Sequence, residues 1–87
     1  MPAARHACPQ SCGAYSLVCL WDELLIHCPD PRTAVNFLAA RTGIPAGRLH
    51  QARRIRNMCA HPARGRATPH QIATAIGIAH QALAALH

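Results

Sequence analysis

The sequence predicts an all-α fold, a small antiparallel four-helix bundle, and three observations lead there. Apolar residues recur at three- and four-residue spacing along most of the chain. No stretch alternates apolar and polar residues in the manner of a strand. Cap and stop signals divide the chain into four helical segments. Its 87 residues suffice for one domain and are too few for two cores.

The elements follow in order. Residues 1–12, rich in Pro, Ala and Cys, read as an irregular N-terminal arm, and residues 13–87 as the helical domain. The first helix is expected from about Gly13 to His27. Leu17, Trp21, Leu24 and Cys28 form its apolar stripe, and Leu20 and Leu25 widen it. It stops before Pro29, because a residue preceding proline is pushed out of the α region. Asp30-Pro31 pairs a capping acceptor with a proline suited to the first helical position. The second helix then carries Ala34, Val35, Phe37 and Leu38, and Gly43 is placed to close it. A third helix follows Pro45 and runs to about Ala60, where Pro62 and Gly65 mark a loop. Thr68-Pro69-His70-Gln71 reads as a capping box opening a fourth helix. Ile72, Ile76, Ala79, Leu83 and Leu86 give that helix a regular apolar stripe. Short loops imply an up-and-down order.

Composition bounds the function. Half the residues are apolar, alanine is by far the commonest of these, and Tyr15, Trp21 and Phe37 are the only aromatics. Alanine favours helix and buries little area, so so small a core calls for a partner surface. A homodimer, or docking onto a larger protein, is expected. The net charge of +6 comes from nine arginines, no lysine and only Asp22, Glu23 and Asp30. That balance points to a polyanion. Zero lysine with abundant alanine, arginine and proline is also the mark of GC-rich coding, so the positions of the arginines must decide. Five cysteines lack the spacing of a disulfide framework. Cys19 and Cys59 fall within helical apolar patterns, where a thiol packs as a small hydrophobe. Neither a signal peptide nor a membrane span is apparent, and a reducing cytoplasm is the expected location. His6, Cys8, Cys12, His27 and Cys28 are the only grouping suggestive of zinc. The adjacent His27-Cys28 pair is poorly spaced to share one ion, so no metal and no cofactor is expected.

The third helix carries the chemistry. At about 100° per residue, Ala52, Ile55, Met58 and Cys59 gather on the face expected to turn inward with Leu49. Arg56, Arg53, Asn57, His50, His61 and Arg54 follow one another around the other arc, with the small Ala60 among them. Arg56 lies at the border of the apolar face, where a guanidinium loses hydration and needs an anion. Asp22 or Glu23 of the first helix can serve as that partner, leaving His61 as a helix cap. A phosphate is the functional alternative.

Arg56-Asn57-x-x-x-His61, at the end of the penultimate helix and followed by Pro62 and the helix capped by Thr68, resembles the motif of the HEPN superfamily. The likeness covers roughly residues 30–86. It implies a helical-bundle homodimer with two motif copies lining one cleft, and a metal-independent endoribonuclease that uses the RNA 2′-hydroxyl as nucleophile. On that reading His61 moves protons, Arg56 stabilises charge on the phosphorane, and Asn57 orients the phosphate or His61. Arg53, Arg54, His50 and the loop residues Arg64 and Arg66 would contact RNA. So few carboxylates cannot readily build a two-metal site. The superfamily also implies a toxin or antiphage-defence setting, with an antitoxin or a larger defence protein as a partner. Superfamily toxins paired with nucleotidyltransferase antitoxins carry a tyrosine two residues after the histidine. Ala63 stands there, so that subgroup is not assigned. Other members bind nucleic acid or protein without catalysis.

A different reading takes residues 38–52 as a helix-turn-helix. Ala39, Gly43, Ile44 and Leu49 occupy its small, turn and core positions, and Arg48, Arg53 and Arg54 would meet DNA. Pro45 and Gly47 leave that recognition helix few side chains with which to read bases.

Overall fold

Pro9 opens helix α1, Pro9–Ile26, in the computed structural model, which describes residues 9–61, 63 and 65–87, with side chains from residue 13 onward. The helix begins four residues before the expected Gly13. A proline at the first helical position forfeits no helical hydrogen bond, and Gln10, Ser11 and Cys12 offer nothing to break the turn. The expected arm therefore loses residues 9–12 to the helix, and its remainder lies outside the described residues.

The second segment starts on its cap. Asp30, in extended conformation, accepts a hydrogen bond from the Arg32 N–H at 3.0 Å. The chain then makes a 3₁₀ turn, Pro31–Thr33, before settling into α2, Ala34–Thr42. Gly43 ends α2 in the left-handed region at φ 77°, and its N–H donates to Ala39 O at 3.0 Å. Thr42 ties the turn together: its hydroxyl donates to Leu38 O at 2.6 Å and accepts from the Ile44 N–H at 3.2 Å. A side chain at position 43 would meet no atom within 4 Å, so Gly43→Ala should suffer from backbone strain alone. The expected loss is about 1–2 kcal/mol, read as a lower urea midpoint with an unchanged helical spectrum.

Helix α3 runs Ala46–Ala60 and α4 runs Pro69–Leu86. The capping box at Thr68 is present in both directions. The Thr68 hydroxyl accepts from Gln71 N–H at 3.1 Å, and the Gln71 side-chain oxygen accepts from Thr68 N–H at 2.8 Å.

The core joins all four helices. Leu17, Trp21 and Leu24 of α1 meet Val35 and Leu38 of α2, Leu49, Ala52 and Ile55 of α3, and the inner face of α4. No polar or charged side chain is buried among the described residues. On α4 the buried face differs from the expected stripe. Ala75, Ile78, Ala79 and Ala82 are at most 1% exposed, whereas Ile72, Ile76 and Leu86 lie part-buried at the rim. Helix α4 packs against each of the other three helices, and close approach from several sides selects small residues at the centre. Ile78 is the large aliphatic admitted among them, and Ile72, Ile76 and Leu86 seal the edges. Cys19 also departs from expectation: it is exposed, on the outer side of α1 with Tyr15 and Ile26, which are 69% and 80% exposed.

Helix direction is the last point. Gly13, near the start of α1, faces Ile72, near the start of α4, and a Cβ on that glycine would lie 3.2 Å from Ile72 Cγ2. At the other end His27 and His87 stand edge to face, ring centroids 5.6 Å apart. So α1 and α4 run parallel, and the four-helix bundle does not alternate strictly up and down. The 9 residues of α2 are half the 18 of α1, about 13 Å against about 27 Å. A helix that short does not carry the chain back across the bundle, and one reversal of direction is lost.

Candidate functional site

Burial of Leu49, Ala52 and Ile55 fixes the rotation of α3. It leaves His50, Arg53 and Arg54 exposed, and Arg48 and Gln51 are exposed as well. Asn57 and Arg56 are intermediate, on the shoulder between this basic face and the core. The border position expected of Arg56 is the one observed: its side chain is only 21% exposed.

Arg56 is held at two points. One terminal nitrogen, Nη2, lies 3.2 Å from Asp22 Oδ1. The other, Nη1, donates to Asn57 Oδ1 at 3.3 Å. Of the two carboxylates that could meet it, Asp22 does so. That carboxylate is 58% exposed, and water keeps such a pair on the scale of about 0.2–1 kcal/mol. The Nε of Arg56 is buried and has no acceptor. A guanidinium offers five N–H donors, so both long contacts together leave most of its capacity unused.

His61 follows the last turn of α3. Its backbone departs from helix at φ −131°, ψ 75°, and its N–H donates to Asn57 O at 2.9 Å. The imidazole is exposed and makes no hydrogen bond among the described residues. The fold thus brings Arg56 and Asn57 into contact and sets His61 beyond them at the helix end, without a hydrogen bond between its ring and Arg56. Arg66 is exposed in the loop before α4, and Arg64 lies outside the described residues. Arg41 stacks on Phe37 of its own helix, 5.4 Å from the ring centroid.

Among the described residues, no three His, Cys, Asp or Glu side chains are grouped to hold a metal ion. Of the suggested zinc ligands His27 and Cys28 are described, and His6, Cys8 and the Cys12 side chain lie outside. The Cys28 thiol donates to Leu24 O at 3.4 Å. Burial pushes the Cys28 and Cys59 thiols up from their ordinary values, which keeps them protonated and poor nucleophiles at neutral pH. The His27–His87 pair was not foreseeable from spacing, since it depends on the parallel run of α1 and α4. No helix among the described residues is long and apolar enough to cross a membrane.

Comparison with protein-family models, with curated proteins and with solved structures finds no match.

Proposed function

We propose that this chain binds RNA along the basic edge of α3 and acts there as a metal-independent endoribonuclease of the HEPN type. The observation that carries the reading is the state of Arg56: a shoulder guanidinium, beside Asn57 and one helical end from His61, with a buried Nε that lacks an acceptor. Its fork suits two oxygens of one phosphate. In the reaction the RNA 2′-oxygen bonds to phosphorus and the bond to the 5′-oxygen breaks. The proton leaves the 2′-hydroxyl for an imidazole, and the departing 5′-oxygen takes up another. Arg56 offsets charge on the phosphorane. His61 moves protons, and two copies in a dimer supply base and acid at once. A toxin or antiphage-defence role, with an antitoxin or a larger defence protein as partner, accompanies this reading.

The products should end in 2′,3′-cyclic phosphate and 5′-hydroxyl, in the presence of EDTA. RNA methylated at the 2′-oxygen, and DNA, should resist. Equal cleavage of DNA and RNA, analysed on denaturing gels, would sink the reading. A second prediction concerns assembly. The exposed Tyr15 and Ile26 and the thin core favour a homodimer, and sedimentation equilibrium at micromolar concentration should return twice the chain mass.

Two observations favour binding without cleavage as the second reading: Arg56 is engaged by Asp22, and the His61 ring forms no hydrogen bond with Arg56 or Asn57. Salt-sensitive binding of RNA with no cleavage would select it. The helix-turn-helix reading keeps a three-residue link with buried Ile44 and exposed Arg48, Arg53 and Arg54. It gives no account of the part-buried Arg56.

A further inference from the structure

We infer that Asp22 is a built-in competitor for the anion seat of Arg56, a carboxylate that occupies the guanidinium until a phosphate displaces it. The inference rests on the reading of Arg56 as a phosphate ligand and adds the means by which that ligand is held in check.

Three observations bear on it. First, the seat is partly prepared and only partly filled. Arg56 is four-fifths covered, yet Asp22 reaches it through one oxygen at 3.2 Å. An Arg–carboxylate pair at full strength is bidentate and shorter, about 2.7–2.9 Å. Second, the Nε is buried with no acceptor among the described residues. Orphaned buried donors are uncommon, and a tetrahedral oxyanion can engage Nε and a terminal nitrogen together, as this single oxygen does not. Third, Asp22 is exposed and forms no other hydrogen bond among the described residues, so it can swing into solvent without breaking anything else. Asn57 stays beside the guanidinium and marks where a second polar contact to the incoming anion lies.

Glu23 gives the control. It is adjacent in sequence, equally charged, exposed and out of contact with Arg56. Glu23→Gln therefore measures the effect of removing one negative charge, and Asp22→Asn measures that effect plus release of the seat. The test is a titration with inorganic phosphate, followed by the Nε–Hε resonance of Arg56 in nitrogen-15-labelled full chain. Arg56→Lys assigns the signal by its disappearance. Wild type should show a saturable shift, and the half-saturation concentration in Asp22→Asn should fall about 2- to 5-fold below that of Glu23→Gln, the scale of an exposed ion pair. Identical values in the two variants would mean that only net charge matters, and the competitor role would be lost. Weaker phosphate binding in Asp22→Asn would make Asp22 a residue that positions Arg56, which overturns the inference equally. A signal unmoved by phosphate in every variant does the same. Labelled single-stranded RNA, followed by anisotropy in the same variants, separates the two levels. Phosphate competition without RNA binding would leave the inference standing and remove the proposed function.

Discussion

Alanine in place of His61 is expected to lower RNA cleavage by about 10²–10⁴-fold, the usual share of a general acid–base, while the protein stays folded. The structural basis for the second half is direct. The imidazole is exposed and forms no hydrogen bond among the described residues, and the backbone N–H that caps α3 through Asn57 O survives the substitution. Thermal unfolding of His61→Ala should therefore superimpose on wild type within the range of ordinary surface changes, about 0.5 kcal/mol. Arg56→Lys sharpens the test. It keeps the charge and the approach to Asp22 but loses the planar fork, so binding of RNA should weaken modestly and turnover should fall steeply. Full cleavage by His61→Ala would remove the histidine from the mechanism, and with it the reason for reading the motif as catalytic.

The largest loss of stability should follow Trp21→Ala. The indole is 2% exposed and is the largest of the fully buried side chains among the described residues. Its removal is expected to cost about 3–5 kcal/mol. A chain of 87 residues has a total stability on the order of 4–13 kcal/mol, at about 0.05–0.15 kcal/mol per residue. The variant should thus forfeit at least about a quarter of that stability, and at the low end of the range all of it. Circular dichroism is the required readout, because the substitution deletes the only tryptophan. The effect reaches the site as well: Trp21 seats the turn of α1 that presents Asp22 to Arg56. A native urea midpoint for Trp21→Ala would show that the core is not organised around this residue.

Local signals were the legible part of the fold. Asp30, Gly43, Thr68 and Gln71 act through atoms within a few residues of themselves, so their capping roles could be read directly and are observed. The rotation of α3 was legible for a similar reason. One arc holds His50, Arg53 and Arg54, and Leu49, Ala52 and Ile55 on the other turn inward. What the sequence did not disclose depends on contacts between distant segments. The choice of Asp22 over Glu23 turns on how α1 is seated. The parallel run of α1 and α4 follows from the brevity of α2, and no residue pattern within either long helix records it. The buried face of α4 was misjudged by weighing side-chain size. Ile72 and Ile76 are the more hydrophobic residues, yet the centre goes to Ala75, Ala79 and Ala82 with Ile78.

That alanine wall has a consequence for how the domain is held rigid. Ordering a long side chain in a core forfeits up to about 2 kcal/mol of rotamer freedom, and ordering an alanine forfeits none. Ala75, Ala79 and Ala82, all fully buried, therefore dock α4 with no side-chain torsions to freeze and none left to fluctuate. The ordinary tolerance of a core is inverted along this helix. Enlarging one of these alanines is the damaging change, since its close-packed surroundings must shift to admit the added atoms, and the central helix behaves as a stiff strut against which the other three are set.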